Sequence, residues 1–364
     1  MAILQSSLAV DLLRCATAAD VLVHIEDHAI QYDAGAGSVA LHVLAATARP
    51  KGADEARRLG ATPAVGRLVM QLGAQLAGGS DLDARGLVAL LWTLATLAPP
   101  DSPLLQGLAK RIILLAQRGR LTPGQLHISA QALAALGLTA TGSIATGLAH
   151  ALLPRLAAFN AAQLGDLLRV FAIPPPPPGT SANDGLSAPP QRAEGAIEAL
   201  FREALSPLAL SATFLEPLAP SASTSERNRL AAARQHGSAT ALVALAAADL
   251  DPPADSAAVG GLLTALNRAG FGPERLGMRA LSELLWALRR LNKADEPLHG
   301  ELLGALHALV AQATPEELEA AAVEVAAQGE RMVPALLHLR ERHATLAEQV
   351  RGLHHRFHLW EFVF

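Results

Sequence analysis

LTPGQLHISAQALAALGL (121–138) lies over FNAAQLGDLLRVFAI (159–173), and this overlay decides the fold. Gln125 falls on Gln163, Leu126 on Leu164, Gln131 on Arg169 and Leu133 on Phe171, every pair 38 positions apart. The template extends back to LVALLWTLATL (87–97), where Trp92 takes the place of Gln131, and forward to LSELLWALRRL (281–291), where Trp286 does so. TPEELEAAAVEVAAQ (314–328) closes the series. In each segment apolar residues recur at i, i+4 and i+7, as at Leu87, Leu91 and Leu94 or Leu281, Leu285 and Leu288, the buried stripe of an amphipathic helix. Thr122-Pro123 and Thr314-Pro315 supply an N-cap and a first-turn proline, with Gln125 or Glu317 in capping-box position.

Each of these helices is followed, after a short polar or Gly/Pro turn, by a second one. The partners are 102–119, 144–159, 296–312 and 331–353, so the unit is helix, turn, helix in about 38 residues. Neither helix buries its stripe alone, and adjacent units must stack. The expected fold class is therefore all-α, an α-solenoid of helix-turn-helix repeats. The N-terminal portion, 1–80, reads as a cap and first repeat, with helices over 17–32, 38–47 and 61–76. Residues 81–205 hold further repeats around a Pro-rich insertion, PPPPPGTSANDGLSAPP (174–190), with a partner helix at 192–205. Residues 206–353 continue the array, with LAPSASTSERN (218–228) as a second inserted loop and helical stretches at 207–218, 239–250 and 256–270. An aromatic tail, 354–364, ends the chain.

Composition narrows the functional classes. Of 364 residues 51% are hydrophobic and only 3% aromatic, so the core must be built from Ala and Leu. The net charge of −4 argues against a strongly basic nucleic-acid sleeve but allows a local basic stripe. Despite a mean hydropathy of +0.28, every apolar run is broken short of a membrane span, so no membrane insertion is expected. Cys15 is the only cysteine; it excludes an intrachain disulfide and a Cys-rich zinc site and reads as a small buried hydrophobe. The phosphate-cradling, dinucleotide, zincin and nucleophile-elbow motifs do not occur in convincing form. The sequence thus reads as a non-enzyme with no small-molecule substrate, no cofactor and no metal.

The segments LVALLWTLATL and LSELLWALRRL, with the leading AADVLVHIEDHAIQYDAGAGSVALHVLAATA (18–48), resemble octotricopeptide repeat proteins of green algal organelles and the related helical region of FAST-kinase-like proteins. The sequence departs from that pattern in having only Lys51, Lys110 and Lys293 as lysines, no strong proline-rich consensus and no RAP-like segment after the last helix pair. The resemblance implies an α-solenoid that binds organellar RNA, as a component of a mitochondrial ribosome or as a transcript maturation or translation factor. It places the protein in the mitochondrial matrix or, alternatively, the chloroplast stroma. A purely protein-binding scaffold of an organellar complex is the reading from a different class.

RNA contact on such an array needs polar side chains that repeat on one helix face. The first helices offer Arg85, Gln125, His127, Gln131, Gln163, Arg169, Arg275, Arg279, Arg289 and Arg290, each of which is equally at home on a solvated helix face. Lys110, Arg111, Arg118 and Arg120 form a second basic cluster, suited to phosphates or to a helix C-terminus. His24 and His28, like His354 and His358, share a helix face but lack the further ligands of a metal site. Trp92 and Trp286 read as inter-helix packing. Phe357, Trp360, Phe362 and Phe364 read as a docking peptide for a neighbouring subunit or as a cap on the last repeat.

Overall fold

The computed structural model describes residues 7–28, 31–79, 82–97, 103–140, 142–172, 194–206, 213–214, 223–248, 255–268, 278–291, 293 and 297–312. The Pro-rich insertion, the helices expected at 314–328 and 331–353, Arg275 and the aromatic tail lie outside them. Regular structure among the described residues is helical, with no strand. The chain divides into two compact units. Among the described residues one comprises 7–159 and 194–200, and the other comprises 160–172 and 201–312.

The first unit contains α1 (Ser7–Leu12), α2 (Ala18–His28), α3 (Ala34–Ala48), α4 (Ala53–Gly60), α5 (Pro63–Ala77), α6 (Ala84–Leu97), α7 (Pro103–Gln117), α8 (Pro123–Ala135) and α9 (Gly142–Leu152). Its helices pack in alternation. α6 lies against both α3 and α8, while α7 lies against both α5 and α9, so first helices adjoin first helices and second helices adjoin second helices. The seam is leucine-rich: Leu87, Leu90, Leu91 and Leu94 on α6 and Leu126 and Leu133 on α8 are fully or almost fully buried, each contributing about 2 kcal/mol. The helix starts are set as their residues dictate. Thr122 accepts the Gln125 N–H while Gln125 Oε1 accepts the Thr122 N–H at 2.8 Å, the expected capping box.

Three boundaries differ from the sequence reading. The helix expected over 17–32 stops at His28, because Asp33 takes an extended conformation to cap α3 through the Ala36 N–H. The helix expected over 144–159 is α-helical only to Leu152 and continues as a 3-10 turn, Leu153–Ala158, where Pro154 supplies no N–H. Between α3 and α5 stands α4, which the sequence reading did not anticipate; Gly60 lets it approach α6 so closely that a Cβ would collide with the Leu97 carbonyl.

The second unit contains α10 (Ala161–Ala172), then α12 (Thr224–Ala248), α13 (Asp255–Arg268), α14 (Met278–Arg290) and α15 (Pro297–Gln312); α11 (Glu194–Ala204) spans the division between the units. The expected loop over 218–228 is corrected over its last five residues, which form the first turn of α12. Ser223 Oγ accepts the Glu226 N–H at 3.2 Å and so starts that helix in a stretch with no apolar stripe to announce it. α12 packs on α10, α13 and α14. Its crossing with α10 is close because Gly165 and Gly237 face each other; a Cβ on Gly237 would meet the Ala161 carbonyl.

Candidate nucleic-acid interface

The 3.6-residue period leaves one stripe of each first helix outside the core. In the first unit it comprises Gly35, Val39, His42 and Ala46 on α3, Arg85, Ala89, Trp92 and Thr96 on α6, and Gly124, Ile128, Gln131 and Ala135 on α8, all half-buried or exposed. His42, Trp92 and Gln131 hold the same register on three consecutively packed helices. The His42 and Trp92 rings lie 5.9 Å apart at 48°, and His42 Nδ1 is 3.4 Å from Thr93 Oγ1. None of these stripe positions is Asp or Glu. The nearest acids at the helix starts, Asp33 and Asp83, turn their carboxylates onto the N–H groups of Ala36 and Gly86. The stripe therefore carries a guanidinium, an imidazole and an indole and no carboxylate that would repel a phosphate.

The second unit treats the same register differently. Arg169 on α10 donates to Glu283 on α14 at 2.7 Å, and the Glu283 side chain is only 5% exposed. Asp166, one turn earlier, binds His236 Nε2 at 2.9 Å; that hydrogen bond outweighs lost hydration and holds the imidazole pKa above its ordinary value. Arg290 donates through Nε to the Ala246 carbonyl at 2.8 Å with its guanidinium 5.9 Å over the Trp286 ring, which also packs on Val243, Ala246 and Ala287.

The residues expected to touch RNA thus divide. Arg85 and Gln131 are exposed on the first unit's stripe, with His127 half-buried at its edge. Gln125 and Gln163 each use the side-chain oxygen to cap their own helix, Gln163 on the Asn160 N–H at 3.1 Å. Arg169 is paired with Glu283, and Arg290 is bonded through Nε to the Ala246 carbonyl. Arg289 is exposed at the end of α14, which also carries Arg279. Lys110, Arg111, Arg118 and Arg120 lie on α7 and the turn after it, in the other row of helices. Sequence reasoning missed His42. Its offset from Trp92 is 50 positions because α4 lengthens the connection, which hides the register that the shorter repeats display.

At the N-terminal end, His24 and His28 share a face as expected, stacked at 4.5 Å, and His24 Nδ1 lies 2.6 Å from the Tyr32 hydroxyl. Tyr32 is buried, which pushes its phenol well above the ordinary range, and its carbonyl accepts the Gln71 and Gln75 amides. No group of three or more metal-ligating side chains occurs among the described residues. Cys15 is half-buried in the turn after α1, a correction to the expected buried position; loss of hydration and then the Asp20 and Asp11 carboxylates push its thiol upward. Among the described residues no helix is long and apolar enough to cross a membrane. Neither a known protein family nor a curated protein matches the chain.

Proposed function

We propose that this is a non-catalytic RNA-binding α-solenoid of the octotricopeptide type, acting as a structural component of an organellar, by preference mitochondrial, ribosome. The observation that carries the reading is the first unit's stripe: a basic, aromatic and amide-bearing register free of acids in a chain whose net charge is −4. Alternate packing of α3, α6, α8 and of α5, α7, α9 supports the repeat architecture on which such a stripe depends.

A ribosomal setting, in preference to a free transcript-specific factor, is supported by the exposed apolar side chains of the same unit. Leu13, Val23 and Met70 are 58%, 57% and 72% exposed, apolar area that neighbouring proteins of an assembly would cover if these residues adjoin. Near-neutral charge fits a subunit that shares its RNA contacts with neighbours. The test is ultraviolet crosslinking of the tagged protein in its native organelle, followed by sequencing of the attached RNA. Ribosomal RNA fragments clustered at one site are expected. A single messenger would replace the ribosomal assignment with a maturation or translation factor, and no RNA above an untagged control would leave a protein scaffold.

A further inference from the structure

We propose that Trp92, with His42 beside it, is a stacking platform for one unpaired base of single-stranded RNA; this deepens the RNA-binding reading and rests on it. The chain has only three tryptophans, and two of them, Trp92 and Trp286, occupy the same repeat position. Trp92 stays partly exposed although its neighbours Leu91 and Thr93 are fully buried, so the helix delivers the indole to the surface and not to the seam. His42 stands at 48° to it, beside the ring instead of stacked flat on it. Arg85 lies two turns earlier on the same stripe, in position for a phosphate, and Gln131 holds the matching place on α8.

Trp286, half-buried like Trp92, has different neighbours at this position. There the Arg290 guanidinium lies over the ring, Glu283 stands one turn before it, and the indole packs on α12. An aromatic face stacks on any base, and the bases of a duplex are already stacked on each other, so the ligand is a single strand read with little sequence preference at this point.

The test uses the full chain with Trp286→Phe and Trp360→Phe, leaving Trp92 as sole indole emitter, and a 20-nucleotide random-sequence single-stranded RNA as probe. Indole fluorescence is expected to be quenched on binding, and a duplex of the same length to compete poorly. In the otherwise unaltered chain Trp92→Leu is expected to weaken binding roughly tenfold with no change in its salt dependence, and Trp92→Phe to retain most of the affinity. Binding without quenching, or unaltered affinity in folded Trp92→Leu, overturns the platform while leaving the RNA reading intact. If Trp92→Leu does not fold, the quenching result alone decides. Failure of the unaltered chain to bind the probe overturns the RNA reading itself, and with it the platform.

Discussion

The two units use one repeat position for opposite ends. In the first, His42, Trp92 and Gln131 stand in a register that carries no Asp or Glu; in the second, Arg169 commits its charge to Glu283 and Asp166 its carboxylate to His236. Equivalent positions in a repeat are thus not equivalent in chemistry. A cation at this position is drawn into an ion pair where the neighbouring helix brings an acid to it, as Glu283 does to Arg169. Changes to the second unit's stripe should therefore cost stability, and changes to the first unit's stripe should cost ligand affinity.

The largest expected effect is on the buried pair. Arg169→Met removes the cation paired with the buried Glu283 carboxylate and should cost about 3 kcal/mol of stability, read from urea unfolding followed by helical ellipticity, with RNA affinity of the folded fraction unchanged. A loss below about 0.5 kcal/mol, the range of an ordinary surface change, would show that Arg169 is not structural.

Next comes the capping oxygen of Gln125. Gln125→Ala should cost roughly 1 kcal/mol and leave RNA affinity alone, because its side chain is turned onto the Thr122 N–H. Weakened binding without a stability change would contradict the assignment.

The His236–Asp166 contact makes a smaller, pH-dependent contribution. Its folded-state pKa is raised, so the stabilisation is fully present below the unfolded value near 6.5 and is lost as pH rises through the higher folded value. Because both side chains are partly exposed the effect should stay under about 1 kcal/mol. Unfolding midpoints of the unaltered chain should fall relative to His236→Gln as pH increases from about 6 to about 8, and parallel profiles would remove the contact from the account. Arg85→Gln should have the smallest effect on stability, within about 0.5 kcal/mol, yet lower the slope of log affinity against log salt by roughly 0.7, one phosphate on a single strand. An unchanged slope would take Arg85 off the phosphate path.

Much of the helical pattern was legible because it is local. The i, i+4, i+7 leucines and the Thr-Pro-x-Gln cap write α6, α7 and α8 into contiguous residues, and the structure places them within a few positions of the expected limits. What failed was either non-periodic or long-range. α12 begins in SERNRLAAARQHG, whose polar residues carry no stripe, so only the Ser223–Glu226 cap marked its start. Glu283 lies 114 positions from Arg169, and nothing near either residue announces the other. The acid-free register suffered from the reverse problem: Trp92 and Gln131 were aligned from the repeat, but α4 displaced His42 from the spacing that would have joined it to them.

The contrast between the units is tested most directly by ultraviolet crosslinking of the full chain to single-stranded RNA, with mass spectrometry of the crosslinked peptides. Crosslinks are predicted on α3, α6 and α8, centred on His42, Trp92 and Gln131, and not on the Arg169 or Glu283 segments of α10 and α14. Crosslinks confined to α10 and α14, or none on the first unit, would contradict the claim that the acid-free register is the RNA-binding surface.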